Sequence, residues 1–262
     1  MPQFTHDGLN FHYEVVGEGF PFFLLHGLGN NNLQTLDMYE PIEGVMCVLP
    51  DQRGHGLSEG NEDMSLDTLS DDIIALADHL AVEQFAIGGI SMGAAVSITT
   101  CLRHPERVRG LLLIRNAWAD QPMSQNYIDL FTALADALKN NDPQMLEESA
   151  AYKAVYEQTP ELALSMFDFF RDPVSLKYPE KFALVPPQQL IDGLEQLKEI
   201  RVPVEILANR QDNIHRYEYG EILHQGIEGS SFHEIACKKE NKELYDSDIN
   251  RYLRQLLAEI SE

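Results

Sequence analysis

Residues Gly88 to Ser97 read "GGISMGAAVS". Within them Gly89, Ser91 and Gly93 form a glycine-x-serine-x-glycine pattern, preceded by the apolar run "FAIGG" and followed by small residues of helical character. A serine at the tip of a strand-turn-helix sits in strained backbone, so the positions two before and two after it must lack bulk. The turn lifts the hydroxyl above the carboxyl edge of a sheet and aims the helix N-terminus, with the Met92 amide, at developing negative charge. The pattern alone arises by chance in roughly a tenth of chains this long. It also fits a tight strand-helix crossing with an incidental serine, and the buried-strand context before it favours the elbow.

On the N-terminal side, "LNFHYEVVG" alternates like an early exposed strand, whereas "FPFFLLHG", "GVMCVLPD" and "EQFAIGGI" are continuous apolar runs of buried-strand type, as is "VRGLLLIRNA" beyond the elbow. Between them Leu66, Leu69, Ile73, Leu76 and Leu80 keep helical spacing after a capping "SLD". That alternation predicts an α/β fold: a mostly parallel sheet with helices on both faces. "VPVEILAN" and "SSFHEIAC", each followed by a helical pattern, extend the sheet near the C-terminus. From about Trp118 to Pro187 the rhythm changes to amphipathic helices, of which "YIDLFTALADALKN" is the clearest. The expected organisation is a core of residues 1–117 and 188–262 carrying a helical insertion, 118–187. Aromatic residues of the insertion fit either its own core or an apolar pocket wall, with Trp118 placed at the pocket.

Two further stretches follow strand candidates. In "HGLG", His26 to Gly29, the glycines allow the backbone to turn so that the Leu28 amide faces the same spot as the elbow. His26 and Gly27 are then expected beside the substrate. In "DQRGHGLS", Asp51 to Ser58, Asp51 and Arg53 are placed to pair, and His55 reads as a structural loop histidine.

The 262 residues carry 19 Lys and Arg against 42 Asp and Glu, a formal charge of −23. Phosphate backbones and anionic membranes are repelled at long range, so nucleic acid and membrane are excluded as expected partners and a small-molecule substrate remains. Three cysteines without a CxxC pair argue against a disulfide framework. No signal peptide and no membrane span are expected, and the expected location is cytoplasmic. "GGISMG" does not match GxGxxG, there is no GxxxxGK, and no metal-ligand cluster stands out, so no cofactor and no metal are expected.

HGLG, DQRGHGLS and GGISMG, in that order and spacing, resemble the α/β-hydrolase fold superfamily, in the branch with a serine nucleophile and a helical cap. The resemblance covers residues 1–116 and returns over 200–262. It implies an eight-stranded-type sheet, Ser91 as nucleophile, and an oxyanion hole built from the Leu28 and Met92 amides. Asp212, in "VPVEILANRQDNIH", takes the place of the orienting acid, with Asp120 as the second candidate. The family's histidine stands in the loop after the last strand, where "CKKENKELYDSD" has none. His233 is the expected base if the strand ends early; failing that, His26 is placed to hydrogen-bond near the site, although the family usually keeps that residue structural, and His215, three residues after Asp212, is expected on the acid loop. About ten residues past the strand's Glu-Ile pair, where a related ending carries its histidine, stands Tyr245. The implied activity is hydrolysis of a small carboxylic ester or related acyl compound through an acyl-enzyme. The alternatives are a ligand-binding protein lacking a normal triad histidine, or a carbon-carbon bond hydrolase or lyase.

Overall fold

A computed structural model describes residues 2–60 and 62–261. Its strands are β1 (Gln3–His6), β2 (Leu9–Val16), β3 (Phe20–Leu25), β4 (Val45–Pro50), β5 (Phe85–Ile90), β6 (Val108–Ile114), β7 (Val204–Ala208) and β8 (Ser231–Glu234). They form one sheet in the order β1-β2-β4-β3-β5-β6-β7-β8. The first two pairings are antiparallel and those from β4 to β8 are parallel. The expected α/β architecture is therefore present, with every apolar run named above as one of its strands. β1 is an additional element, joined to β2 through Asp7 and Gly8 at φ 50° and 75°, as a two-residue hairpin turn requires.

Period-two alternation distributes the core to both faces. Phe23, Leu25, Val48, Ile87, Leu111 and Leu113 pack on one side; Phe22, Leu24, Cys47, Leu49, Leu112 and Ile114 pack on the other. The first face is covered by α2 (Leu66–His79), capped by Ser65 accepting from Thr68 N, and by α3 (Met92–Arg103). The second is covered by α11 (Lys242–Glu259), whose Ile249, Leu253 and Leu256 join that cluster. Two shorter helices, α1 (Asn32–Leu36) and α10 (Tyr217–Gly226), flank the sheet.

Between β6 and β7 the chain leaves the sheet and forms α4 (Gln125–Lys139), α5 (Pro143–Glu148), α6 (Ala150–Gln158), α7 (Pro160–Ser165), α8 (Pro173–Lys177) and α9 (Glu180–Leu184). These helices bury Leu130, Phe131, Leu134, Val155 and Phe182 among themselves. Gln188 fastens their exit to the core. It accepts from Leu66 N and donates to the Met64 carbonyl, both at 2.8 Å, while its own main-chain carbonyl accepts from Trp118 Nε1 at 3.0 Å. Lys181, almost fully buried, adds a second tie at 2.9 Å to the Gly54 carbonyl. Among the described residues, no helix is long and apolar enough to cross a membrane.

Arg53 does not pair with Asp51. Its guanidinium binds Asp72 of α2 at 2.8 and 2.6 Å, because Asp51 is fully engaged elsewhere. That carboxylate contacts His12 Nδ1 and accepts from the Asn32 and Leu57 amides, at 2.8, 2.8 and 2.9 Å.

Candidate active site

Ser91 stands between β5 and α3 with φ 56° and ψ −111°, a conformation that L-residues hold only where the surroundings enforce it. Its amide continues the ladder by donating to the Ile114 carbonyl at 3.0 Å, and its side chain caps nothing in the helix it begins. Both flanking glycines are compulsory. A Cβ on Gly89 would lie 2.6 Å from the Gly93 carbonyl carbon, and one on Gly93 would lie 2.5 Å from the Leu25 oxygen. The hydroxyl is thereby held out at the carboxyl edge of the sheet beside the first turn of α3. The Met92 amide belongs to that turn, whose N–H groups have no acceptor within the helix.

The turn after β3 is organised by two buried histidines. His26 Nδ1 lies 2.8 Å from the Gly27 carbonyl and its Nε2 accepts from Gln52 N at 3.0 Å. His55 Nδ1 is bound to the Arg53 carbonyl at 2.8 Å, leaving Nε2 to accept from Gly29 N at 3.1 Å. Gly27 N donates to Gln34 Oε1, and Asn30 N donates to the Gly27 carbonyl. Among the described residues, no hydrogen bond engages Leu28 N, whereas the Gly27, Gly29 and Asn30 amides that flank it are all satisfied. A Cβ built on Gly27 would be 3.6 Å from Ser91 Cβ, so turn and elbow adjoin. Burial, with Lys181 nearby, lowers His26 to about 4 and His55 well below its ordinary value; both rings are neutral spacers. The Phe169 and Phe182 rings seat against Gly29.

Asp212 follows β7, two strands from β5 and its Ser91. It accepts from Arg115 Nε at 2.7 Å and from His215 N at 3.0 Å, and lies 2.9 Å from His215 Nδ1. Burial pushes this carboxyl up, but His215 and Arg115 outweigh it and hold it well below the carboxylate range. His215 is itself lowered by burial and by Arg115, against the pull of Asp212. Arg115 follows β6, between the strand that leads to Ser91 and the strand that leads to Asp212, at φ 51°, and its Nη2 is 3.2 Å from His215 Nδ1. The signal for it in the sequence is a lone charge ending the apolar run "LLLIR".

Three sequence expectations fail on placement. His233 does not stand beyond the last strand. It lies within β8, three strands and thus about 14 Å from β5, with Nε2 2.6 Å from Glu205 Oε2 and its ring stacked 3.8 Å from that of Tyr252. Glu205 is almost wholly buried, and an acid inside a sheet needs such a partner. His26 and Trp118, at 0% and 2% exposure, present no surface to a ligand; the first braces the turn and the second anchors the helical insertion.

A family described as alpha/beta hydrolase fold matches residues 21–240. The chain belongs to the alpha/beta hydrolase fold family. It is 34% identical to the dihydrolipoyllysine-residue acetyltransferase component of an acetoin cleaving system from Pseudomonas putida, over 60% of this chain and 47% of that protein. It is 31% identical to a 2-hydroxymuconate semialdehyde hydrolase from Pseudomonas sp. strain CF600, over 45% of this chain and 44% of the relative. The chain thus spans about half the length of these two relatives. Among solved structures of this fold, a thermophilic esterase from Thermogutta terrifontis aligns with a TM-score of 0.73 at 21% identity, covering 97% of both chains.

Proposed function

We propose that this alpha/beta hydrolase fold protein is a serine hydrolase acting on a small carboxylic ester through an acyl-enzyme. The observation that carries the reading is the strained Ser91 backbone beside two amides, Leu28 and Met92, that have no acceptor of their own among the described residues. Strain of this kind persists at functional sites because the surroundings over-determine it. With Nδ1–H donated to Asp212, His215 keeps Nε2 as a base, the role that His233 cannot fill. His215 takes the Ser91 proton as the hydroxyl attacks the carbonyl, and the two amides hold the oxyanion. The proton passes to the departing alkoxide; water, activated in the same way, then releases the acid and restores the serine. Residues 118–187 act as a cap over a core of 1–117 and 188–262, excluding water from the acyl group.

The test is intact-mass analysis after exposure to a fluorophosphonate. One adduct is expected on the wild type, none on Ser91→Ala, slowed labelling on His215→Gln and undiminished labelling on His233→Gln. The absence of any histidine in the connection from β8 to α11, together with the claim of Arg115 on Asp212, favours a second reading: a ligand-binding protein without turnover. No adduct at millimolar probe would establish that reading instead.

A further inference from the structure

Arg115 leaves the end of β6 at φ 51°, with its amide donated to the Leu207 carbonyl of β7 at 2.8 Å. An arginine keeps such a backbone only where its surroundings enforce it, and the side chain is as fully committed as the main chain. Nε and Nη2 both reach Asp212 Oδ2, at 2.7 and 2.5 Å. The Tyr245 hydroxyl, from the first turn of α11, is a further partner of the guanidinium. His215 Nδ1 lies 2.9 Å from that same Oδ2 and 3.2 Å from Arg115 Nη2. One ring nitrogen therefore meets an anion and a cation together. A carboxylate by itself favours the imidazolium beside it. With a guanidinium on the same oxygen the two charges nearly cancel, and burial then favours the neutral ring. Tyr127 of α4, Glu161 of α7, Arg216 before α10, and Lys238, Lys239 and Glu240 of the β8–α11 connection also border the acid loop and its clefts. The charges that act on the His215 ring are those of Asp212 and Arg115.

We infer that Arg115 is a positioning residue of the Asp212–His215 pair: from the neighbouring strand it pins Asp212 Oδ2 against His215 Nδ1 and offsets the carboxylate charge, so that Nε2 keeps its lone pair. Nδ1 carries the ring proton, since an ionised carboxylate can only accept and lies nearer than the Nη2 donor. The consequence is a base that works at a lower pH than an aspartate–histidine pair without the arginine. That this base serves Ser91 rests on the serine hydrolase reading; the state of the ring does not.

NMR of protein carrying isotope-labelled histidine, with the His215 signal assigned by its loss in His215→Gln, reads the ring directly. In the wild type the Nδ1–H form and a titration midpoint below the ordinary 6.5 are expected. Arg115→Met is expected to raise the proton affinity of His215 about tenfold or more, and Arg115→Lys, which keeps the charge, to leave it close to the wild type. Arg115→Gln, with an N–H for Asp212 but no charge, repeats the measurement where the methionine variant does not fold. A purely structural role for Arg115 would lower stability without moving the midpoint. A wild-type ring in the Nε2–H form, a wild-type midpoint at or above 6.5, or a midpoint unmoved in the uncharged variants overturns the inference. The pH dependence of fluorophosphonate labelling in the same proteins reads the reaction, and its acidic limb is expected to follow His215 upward in the uncharged variants. The expected NMR shift with no labelling at any pH overturns the hydrolase reading alone; labelling with an unmoved limb and an unmoved midpoint overturns the role of Arg115 alone.

Discussion

Ser91 holds a backbone conformation that glycine adopts without penalty, and the fold carries that penalty for the sake of where the hydroxyl points. Ser91→Gly is therefore expected to stabilise the protein by about 1 kcal/mol in urea unfolding while removing the proposed nucleophile. Ser91→Ala keeps the strain and is expected to unfold near the wild-type midpoint; a glycine variant no more stable than the alanine one would show the turn to be relaxed. The two histidine positions divide by a similar logic. His233 is held by a buried acid inside the sheet, whereas His215 is held by an acid in the loop beyond it. A one-dimensional reading sees a histidine in each place and cannot see which carboxylate faces it. Glu205, a charge within the apolar "PVEIL", is the trace that this contact leaves in the sequence.

The helices between β6 and β7 are fastened to the core by a few polar ties, and Gln188 supplies several of them. Its amide joins α2 to the end of the insertion through bonds to Leu66 N, Met64 O and Leu184 O, while Tyr127 of α4 reaches the acid loop at the Asn213 carbonyl, 3.2 Å away. Gln188→Ala removes these three bonds and leaves their backbone partners unsatisfied, a change of roughly 1–3 kcal/mol. A fall in Tm of about 3–8 °C is expected for a chain of this size. An unchanged Tm would mean that the aromatic contacts of Phe169 and Phe182 hold the insertion by themselves. The insertion's helices were legible from their periodicity. Their fastening was not, because a glutamine contributes nothing to a hydrophobic pattern.

For the protein as a whole, pH acts through the two neutral histidines beneath the turn after β3. In the unfolded chain His26 binds its proton near 6.5, but in the fold burial lowers it to about 4, and His55 is lowered in the same direction. As pH falls below 6.5 the unfolded state gains protons first, so stability is complete above that value and declines toward pH 4. For His26 alone the decline amounts to roughly 3 kcal/mol, at about 1.4 kcal/mol per pH unit. Urea unfolding is expected to weaken already at pH 6, where the carboxylates are still ionised; constant stability from pH 7 to 5 would contradict the burial of these rings as neutral species.

The succession of strands from β2 onward, the elbow, the glycine turn and the helical insertion could all be read from the order of the amino acids, because each rests on near neighbours: period-two burial, a turn that forbids bulk, helical spacing. The position of Asp212 after its strand belongs with them. Three matters waited on the folded chain: that His215 rather than His233 accompanies Asp212, that Arg53 turns from Asp51 to Asp72, and that Arg115 and Tyr245 share one cleft. Arg53 and Asp72 stand 19 positions apart, and Arg115 and Asp212 stand 97 apart. Electrostatic partners at such separations carry no periodicity that would announce them, so their pairing is settled only when the sheet and its flanking helices bring the side chains together.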